Sequence, residues 1–331
     1  MTVSTTLFPR FLPRTLLAAA LAVPCGSATA VTAYPVKPIR FIVPNGMGGS
    51  TDLVARSIAQ KMSENLGQQL VVDNRPGSGG IIGTEMVARA AADGYTLLMG
   101  TIGNLAISPH LYRKIGYDPV RDFDPVTQLA ASAYVLIVHP SVPARSVREF
   151  VELAKARPGG INYASAGSGT GSHLTMELFK SVAAIDVVHV PYKGGTPGLN
   201  DLVGGHVQAF FNGIPSSVPQ ARANRVRALA VTTPKRSPAL PEVPTLSESG
   251  FAAAESTSWT ALVVPAGTPH AVIARLHKEA VNALNSPETR QRLLNDGAEP
   301  VGSAPAEFAL YLKREVVKWG DVVRRSGARA N

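Results

Sequence analysis

At 331 residues, 45% of them apolar, the chain is long enough for two domains with ample cores. Its single cysteine, Cys25, falls in a leader, so the remainder can build no disulfide, thiolate nucleophile or cysteine-bound metal site. The net charge of +9, or +7 without the leader's Arg10 and Arg14, is scattered, with no Lys/Arg block interleaved with aromatics; this argues against a nucleic-acid partner and fits a solvated basic surface able to steer acidic solutes.

Residues 1–30 read as a secretory signal peptide. Arg10 and Arg14 precede the apolar run TLLAAALAV at 15–23, which Pro24 and Gly26 break; Ala28-Thr29-Ala30 supplies a cleavage site, and Val31-Thr32-Ala33 is nearly as good. The run is too short to span a membrane, and Pro24 before Cys25 is a poor fit to a lipoprotein signal. Cleavage leaves about 300 residues with no later segment apolar enough for a transmembrane helix. An exported protein without cysteine is most simply placed in a bacterial periplasm.

Strand-like and helix-like runs then alternate: 39–43, a helix at 52–62, 70–72, a helix at 81–92, 95–99. This pitch predicts βαβ units and a mainly parallel sheet. New material repeats the pattern. A strand at 134–138 precedes a helix opened by the capping-box spacing of Ser146 and Glu149. Strands follow at 161–163, 187–190, 206–211, 226–231 and 260–264. Helices follow at 173–182, after Thr196-Pro197 as cap and first position, after 211, and at 269–284, 287–294 and 305–325.

Glycine-rich loops hold the candidate chemistry. Pro44-Asn45-Gly46-Met47-Gly48-Gly49-Ser50-Thr51-Asp52 joins the first strand to the first helix, at the carboxyl edge where α/β sheets bind ligands. Its candidates are Asn45, Gly48, Gly49, Ser50 and Asp52, the last equally suited to capping the helix. Arg75-Pro76-Gly77-Ser78-Gly79-Gly80 is favoured as a structural turn. Gly100-Thr101-Ile102-Gly103-Asn104 should face the first loop and offers Thr101 and Asn104. The uncharged run 162–172 leads into a helix, where backbone N–H groups and hydroxyls can hold an anion without a counter-charge. Its candidates are Ser165, Gly167, Ser168, Gly169, Thr170 and Ser172, with His173 in the helix's first turn. A flexible Gly/Ser connection is the alternative.

Enzyme signatures are missing. No Walker loop occurs, and the dinucleotide spacing fails at Thr51, Ile82 and Ser172. There is no G-x-S-x-G elbow and no H-E-x-x-H, and His173 with Glu177 does not make a metal site. No cofactor is expected. Lys193 in Tyr192-Lys193-Gly194-Gly195 reads best as a solvated turn lysine, and Trp259 as a core, hinge or ligand-packing residue.

These residues carry a resemblance. Ile42-Val43-Pro44…Gly48-Gly49-Ser50-Thr51-Asp52, Val71-Val72-Asp73-Asn74-Arg75-Pro76-Gly77-Ser78-Gly79-Gly80, Asp93-Gly94-Tyr95-Thr96-Leu97-Leu98, Tyr163-Ala164-Ser165-Ala166-Gly167-Ser168-Gly169, Val190-Pro191-Tyr192-Lys193-Gly194, Lys235-Arg236-Ser237-Pro238 and the stretch from Val263 through Pro265-Ala266-Gly267-Thr268-Pro269 together resemble the Bug family, the solute-binding proteins of tripartite tricarboxylate transporters. The resemblance covers essentially the whole chain after the leader. It implies an α/β, type II periplasmic-binding-protein fold: two α/β domains flank a central cleft, with two crossovers near Ala133 and Trp259. Domain 1 would be 34–132 plus 260–331, and domain 2 would be 133–259. It further implies a small organic acid held by its carboxylate between loops 45–52 and 165–172, with Asn212 nearby. The partners would be membrane transporter subunits, and the protein a monomer without cofactor or metal. A sensor presenting the bound acid to a membrane kinase is the alternative. Gly46, Met47 and Phe211 depart from the usual proline, alanine and acid, and the last two predict a more apolar site suited to an aromatic or hydrophobic acid.

Overall fold

In the computed structural model, residues 1–9, 34–295, 297–326 and 328 are described; the expected leader therefore lies outside the described residues from residue 10 to its end. From Tyr34 onward the chain first lays down β1 (Ile39–Val43), α1 (Ser50–Leu66), β2 (Leu70–Asn74), α2 (Ile81–Ala88) and β3 (Thr96–Thr101). A π-helical turn at Gly103–Ile107 runs into the short α3 (Ser108–Leu111), and a ten-residue strand, β4 (Phe123–Ser132), ends the first pass. The second pass comprises β5 (Tyr134–Val138), α4 (Val147–Ala156), β6 (Asn162–Ser165), α5 (Gly171–Ala183), β7 (Val188–Pro191), α6 (Gly195–Val203), β8 (Ala209–Gly213), α7 (Ile214–Arg222) and β9 (Arg227–Val231). After a long connection the chain returns as β10 (Ser258–Pro265), α8 (His270–Asn285), α9 (Pro287–Asn295), β11 (Ala298–Pro300) and α10 (Pro305–Ser326).

Two sheets result. The first has the order β11-β4-β10-β3-β1-β2, the second β7-β6-β8-β5-β9. In each, the strand that has just arrived from the other sheet runs against its neighbours. β10 is antiparallel to both β3 and β4, and β5 to both β8 and β9, while β1 is parallel to β2 and β3 and β6 to β7 and β8. The order of strands, two sheets and two crossings is the type II periplasmic-binding-protein arrangement.

Both faces of each sheet are covered, and the arriving strands show it most clearly. Along β5 every residue is buried: Leu136 and Val138 join one apolar cluster, Val135 and Ile137 another. Period-two alternation does the same in β10, where Leu262 and Val264 face α1 and α8 while Ala261 and Val263 face α10. Such two-faced strands read as unbroken apolar runs. Local signals also hold. Gly67 ends α1 in the left-handed conformation with φ 66°, and Ser146 Oγ accepts from Glu149 N at 3.2 Å as the cap of α4. The Glu149 carboxylate accepts from Arg145 N at 2.7 Å, one residue earlier than a standard capping box.

Three expectations change. β4 was not foreseen, because Pro125, Thr127 and Gln128 interrupt its apolar pattern; pairing with β10 and β11 on both sides holds it extended. β11 is too short to read. Thr196-Pro197 does not cap a helix: α6 begins at Gly195 with Gly194 as its cap. The second crossover lies just before Trp259: Ser256 still bonds to Thr232 at the end of β9, and β10 opens at Ser258. Trp259 itself pairs with Ala131 inside β10, is 1% exposed, and donates from Nε1 to Glu315 Oε2 at 2.9 Å.

Candidate functional site

The two sheets present their loops to each other across a cleft, and loop 44–52 forms one wall. Asp52, 1% exposed, holds this loop from within. Its Oδ2 accepts from Gly48 N at 2.8 Å and from Arg56 Nε at 2.9 Å, and its Oδ1 from Asn74 Nδ2 at 2.9 Å. Burial alone would raise this carboxyl, but the bonds from Arg56, Gly48 and Asn74 outweigh it and keep the group below the usual carboxylate range. Asp52 is thus a brace, with both oxygens engaged, and is not placed to meet a ligand. Asn74 Nδ2 also donates to Asn45 O at 3.0 Å. The Asn45 side chain differs: its Oδ1 is buried with no partner, and rotation of the amide would present the NH2 group instead.

A cavity of ≈ 70 Å³ lies between the walls, lined by Asn45, Gly49, Ser50, Thr51, Thr101, Tyr134, Thr170, Ser172, Gly195, Asn212, Trp259 and their neighbours, none of them charged. Four helices begin on it. Their caps, Gly49 of α1, Thr170 of α5, Gly194 of α6 and Gly213 of α7, make no side-chain hydrogen bond into the first turn. Every one of those four ends contributes a cap or first-turn residue to the lining. The positive ends of four dipoles therefore converge on one small space, with unbonded first-turn N–H groups from α1, α5 and α6; in α7 Pro215 has no N–H and Ser216 N donates to Ser50 Oγ at 3.4 Å.

The predicted residues fall into three groups. On this cavity stand Asn45, Gly49, Ser50, Thr101, Thr170, Ser172 and Asn212. Ser50 Oγ meets Ser216 Oγ from the opposite wall at 2.9 Å; Asn212 Nδ2 donates to Ser216 Oγ and Ser217 Oγ, each at 3.0 Å; Ser172 Oγ accepts from Ala166 N at 3.0 Å. Thr170 Oγ1 donates to Gly167 O at 2.7 Å. Gly167 and Ser168 line a second, adjoining cavity. Off both cavities lie Gly48, Asp52, Asn104, Ser165, Gly169 and His173. Asn104 is fully buried. Its Oδ1 accepts from Thr101 N at 2.6 Å and its Nδ2 donates to Thr84 Oγ1 at 2.6 Å, so it shapes the turn and leaves contact to Thr101. Gly169 packs on Tyr112, Leu111 and Ser108, and Ser165 and His173 point behind their loop.

The second cavity, ≈ 270 Å³, shares Asn45, Gly46 and Ala166 with the first and extends to Pro76–Gly80, Tyr112 and Tyr192–Gly194. Residues 75–80 are therefore more than the structural turn expected of them. Gly77, Ser78, Gly79 and Gly80 all have φ between 48° and 131°, a run that only a glycine-rich segment sustains. Lys193 lines this cavity as its one charged residue and is exposed, as expected of a turn lysine. Tyr112, which nothing in the sequence singled out, donates from its hydroxyl to Ser168 O at 2.8 Å across the cleft. Close backbone approaches seal the space: a Cβ on Gly46 would sit 2.9 Å from Lys193 O, and one on Gly79 2.3 Å from Ser168 O. Thr196 Oγ1 adds a bond to Met47 O at 3.1 Å.

The apolar site expected from Met47 and Phe211 is not found. Met47 is 69% exposed and lines neither cavity; Phe211 is fully buried and packs edge-on to Phe179 at 5.6 Å. Phe211 lies on β8 directly before Asn212, so the alternation of the strand turns it into the core as Asn212 turns to the cleft. Among the described residues no group of three or more His, Cys, Asp or Glu is arranged to hold a metal, and no helix is long and apolar enough to cross a membrane.

A family model described as the tripartite tricarboxylate transporter family receptor matches residues 54–328. Protein BugT of Bordetella pertussis is 36% identical over 307 residues, 92% of this chain and 94% of its own length. Among solved structures, R. palustris Rpa4515 with adipate superposes with a TM-score of 0.87 at 38% identity, covering 89% of this chain and 99% of that one. MatC (Rpa3494) of Rhodopseudomonas palustris with bound malate gives 0.85 at 34%, covering 88% and 100%.

Proposed function

The chain belongs to the tripartite tricarboxylate transporter receptor family, the Bug proteins, and from that premise we propose that it captures a small organic acid in the periplasm for a membrane transporter of that type. The observation that carries the proposal is the convergence of four helix N-termini on a small cavity without charged side chains. A carboxylate there gains hydrogen bonds from first-turn N–H groups of α1, α5 and α6 that otherwise have no partner, and favourable helix dipoles, without desolvating a lysine or arginine. The neighbours solved with adipate and malate support a carboxylate as the ligand.

In this reading the lobes are 34–132 with 260–331, and 133–259. Separated, they admit solvent and ligand to loops 45–52 and 165–172. Ligand bridging these loops favours the closed arrangement, in which Ser50 meets Ser216, Thr196 meets Met47 O and Tyr112 meets Ser168 O. The carboxylate takes the smaller cavity, with Asn45, Ser50, Thr101, Thr170, Ser172 and Asn212 around it; the rest of the acid takes the larger. The closed monomer then docks on the transporter's membrane subunits. An uncharged cradle favours release, because no salt bridge must be broken at delivery.

Native mass spectrometry of purified protein, followed by a thermal-shift panel of carboxylic acids and their matched primary amides, tests the proposal. One or more acids should raise the melting temperature by several degrees at 100-fold excess over Kd, equivalent to about 2.7 kcal/mol, while the amides do not. Stabilisation by amides as strongly as by acids would defeat it.

A further inference from the structure

We propose that Tyr163, His189 and His173 form a stack that holds loop 165–172 in its anion-cradling shape, with both histidines as positioning residues that never touch ligand. Only the effect on affinity rests on the carboxylate reading above; the effect on the loop stands apart from it.

The three rings lie nearly parallel behind the loop. Tyr163 and His189 are 4.9 Å apart at 20°, His189 and His173 4.0 Å apart at 10°. Tyr163 stands on β6, which enters the loop; His189 is its register partner on β7; His173 stands in the first turn of α5, which leaves the loop. The stack thus ties together the loop's entrance, its exit and the strand beside it. Neither imidazole lines either of the two cavities.

Both positive-φ glycines of the loop end on this stack. Gly167, with φ 127°, donates to Ser165 Oγ at 3.1 Å, and Ser165 Oγ lies 2.6 Å from His189 Nε2. Gly169, with φ 80°, donates to His173 Nδ1 at 3.2 Å. One of these bonds assigns a proton. An amide can only donate, so His173 Nδ1 is bare and its proton is on Nε2, which makes this ring neutral. Ser165 Oγ has two lone pairs, so while it receives the Gly167 N–H it can either donate to His189 Nε2 or accept from it.

Neutrality suits the site. A carboxylate serving as the acceptor would place negative charge directly behind an anion cradle; imidazole accepts without charge. The surroundings keep the rings neutral. Burial, and then Lys180, lowers His173 to about 4; burial, His173 and Lys180 together outweigh Glu177 and lower His189 to about 3. Glu177 and Lys180 of α5 also lock the far end of the stack. Tyr163 donates from its hydroxyl to Glu177 Oε1 at 2.6 Å, and Lys180 Nζ donates to the same oxygen at 2.9 Å.

The test uses ligand-free full-length mature protein and two kinds of substitution. His173→Asn and His189→Gln keep an acceptor near the original nitrogen, whereas His173→Phe and His189→Phe keep the flat ring and lose the acceptor. Amide exchange should quicken at least tenfold at Gly169 in H173F and at Gly167 in H189F, and stay within threefold of wild type in H173N and H189Q. Affinity for the best acid should follow the same pattern. Equal exchange at both glycines in all four variants would overturn the proposal. Should the phenylalanine variants not fold, imidazole 15N shifts of the wild type decide. Neutral rings at pH 7 with the His173 proton on Nε2 support it; an imidazolium, or a His173 proton on Nδ1, overturns it. If the exchange pattern appears but no acid binds wild type, the carboxylate reading fails and the positioning role stands.

Discussion

Asp52 sets the reasoning at the scale of single residues. An acid at the start of a helix beside a binding loop invites a ligand role, yet three donors consume its oxygens, and the side chain that reaches the cavity unpaired is Asn45. Asp52→Asn keeps the shape but removes the charge that Arg56 and two amide donors face. The expected result is a lower melting temperature, by about 1–3 kcal/mol in stability, with weaker acid binding because the loop loosens. Since the folded carboxyl lies below its ordinary value, the wild-type contribution is complete above the unfolded pKa and disappears as pH falls through the folded one. The wild-type excess in melting temperature over D52N should therefore be constant from pH 8 to pH 5 and shrink in stronger acid. An excess that grows with acid would contradict this role.

Helix ends and loops carry the next scale. Loops 44–52 and 165–172 were legible because glycine, serine and threonine at a strand-to-helix junction have few structural uses besides turning and donating. Loop 75–80 has the same composition and was assigned a turn; what the sequence could not convey is that its backbone meets Ser168 O across the cleft, a relation between segments far apart in the chain. The same holds for α5. Its Leu174 is fully buried in the cluster that includes Ile102, Trp259 and Trp319, where α5 meets α10, although Met176, Phe179 and Ala183 of α5 pack on the second sheet. Burying a leucine contributes about 1.5–3 kcal/mol, which in the closing model proposed above favours the lobes being together. Leu174→Ala should weaken acid binding at least tenfold, mainly through faster dissociation measured by stopped flow. An unchanged dissociation rate would remove Leu174 from the closing contact.

For the whole molecule, strand and helix alternation reveals the α/β class and most elements, because two-faced burial of β5 and β10 leaves unbroken apolar runs. β4 escaped notice since its extended form depends on pairing with β10 and β11, strands contributed more than a hundred residues later. The site was legible to a similar depth: its hydroxyls and glycines could be named, but the convergence of α1, α5, α6 and α7 requires both sheets in place. The fate of Met47 and Phe211 shows the converse, that a residue's type beside a binding loop does not give the direction of its side chain. A crystal structure with the tightest-binding acid tests the central claim most directly. The account predicts a carboxylate in the smaller cavity, within hydrogen-bonding distance of first-turn N–H groups from at least two of the four helices. A carboxylate lying instead in the larger cavity against Lys193, with the smaller one holding none, would contradict it.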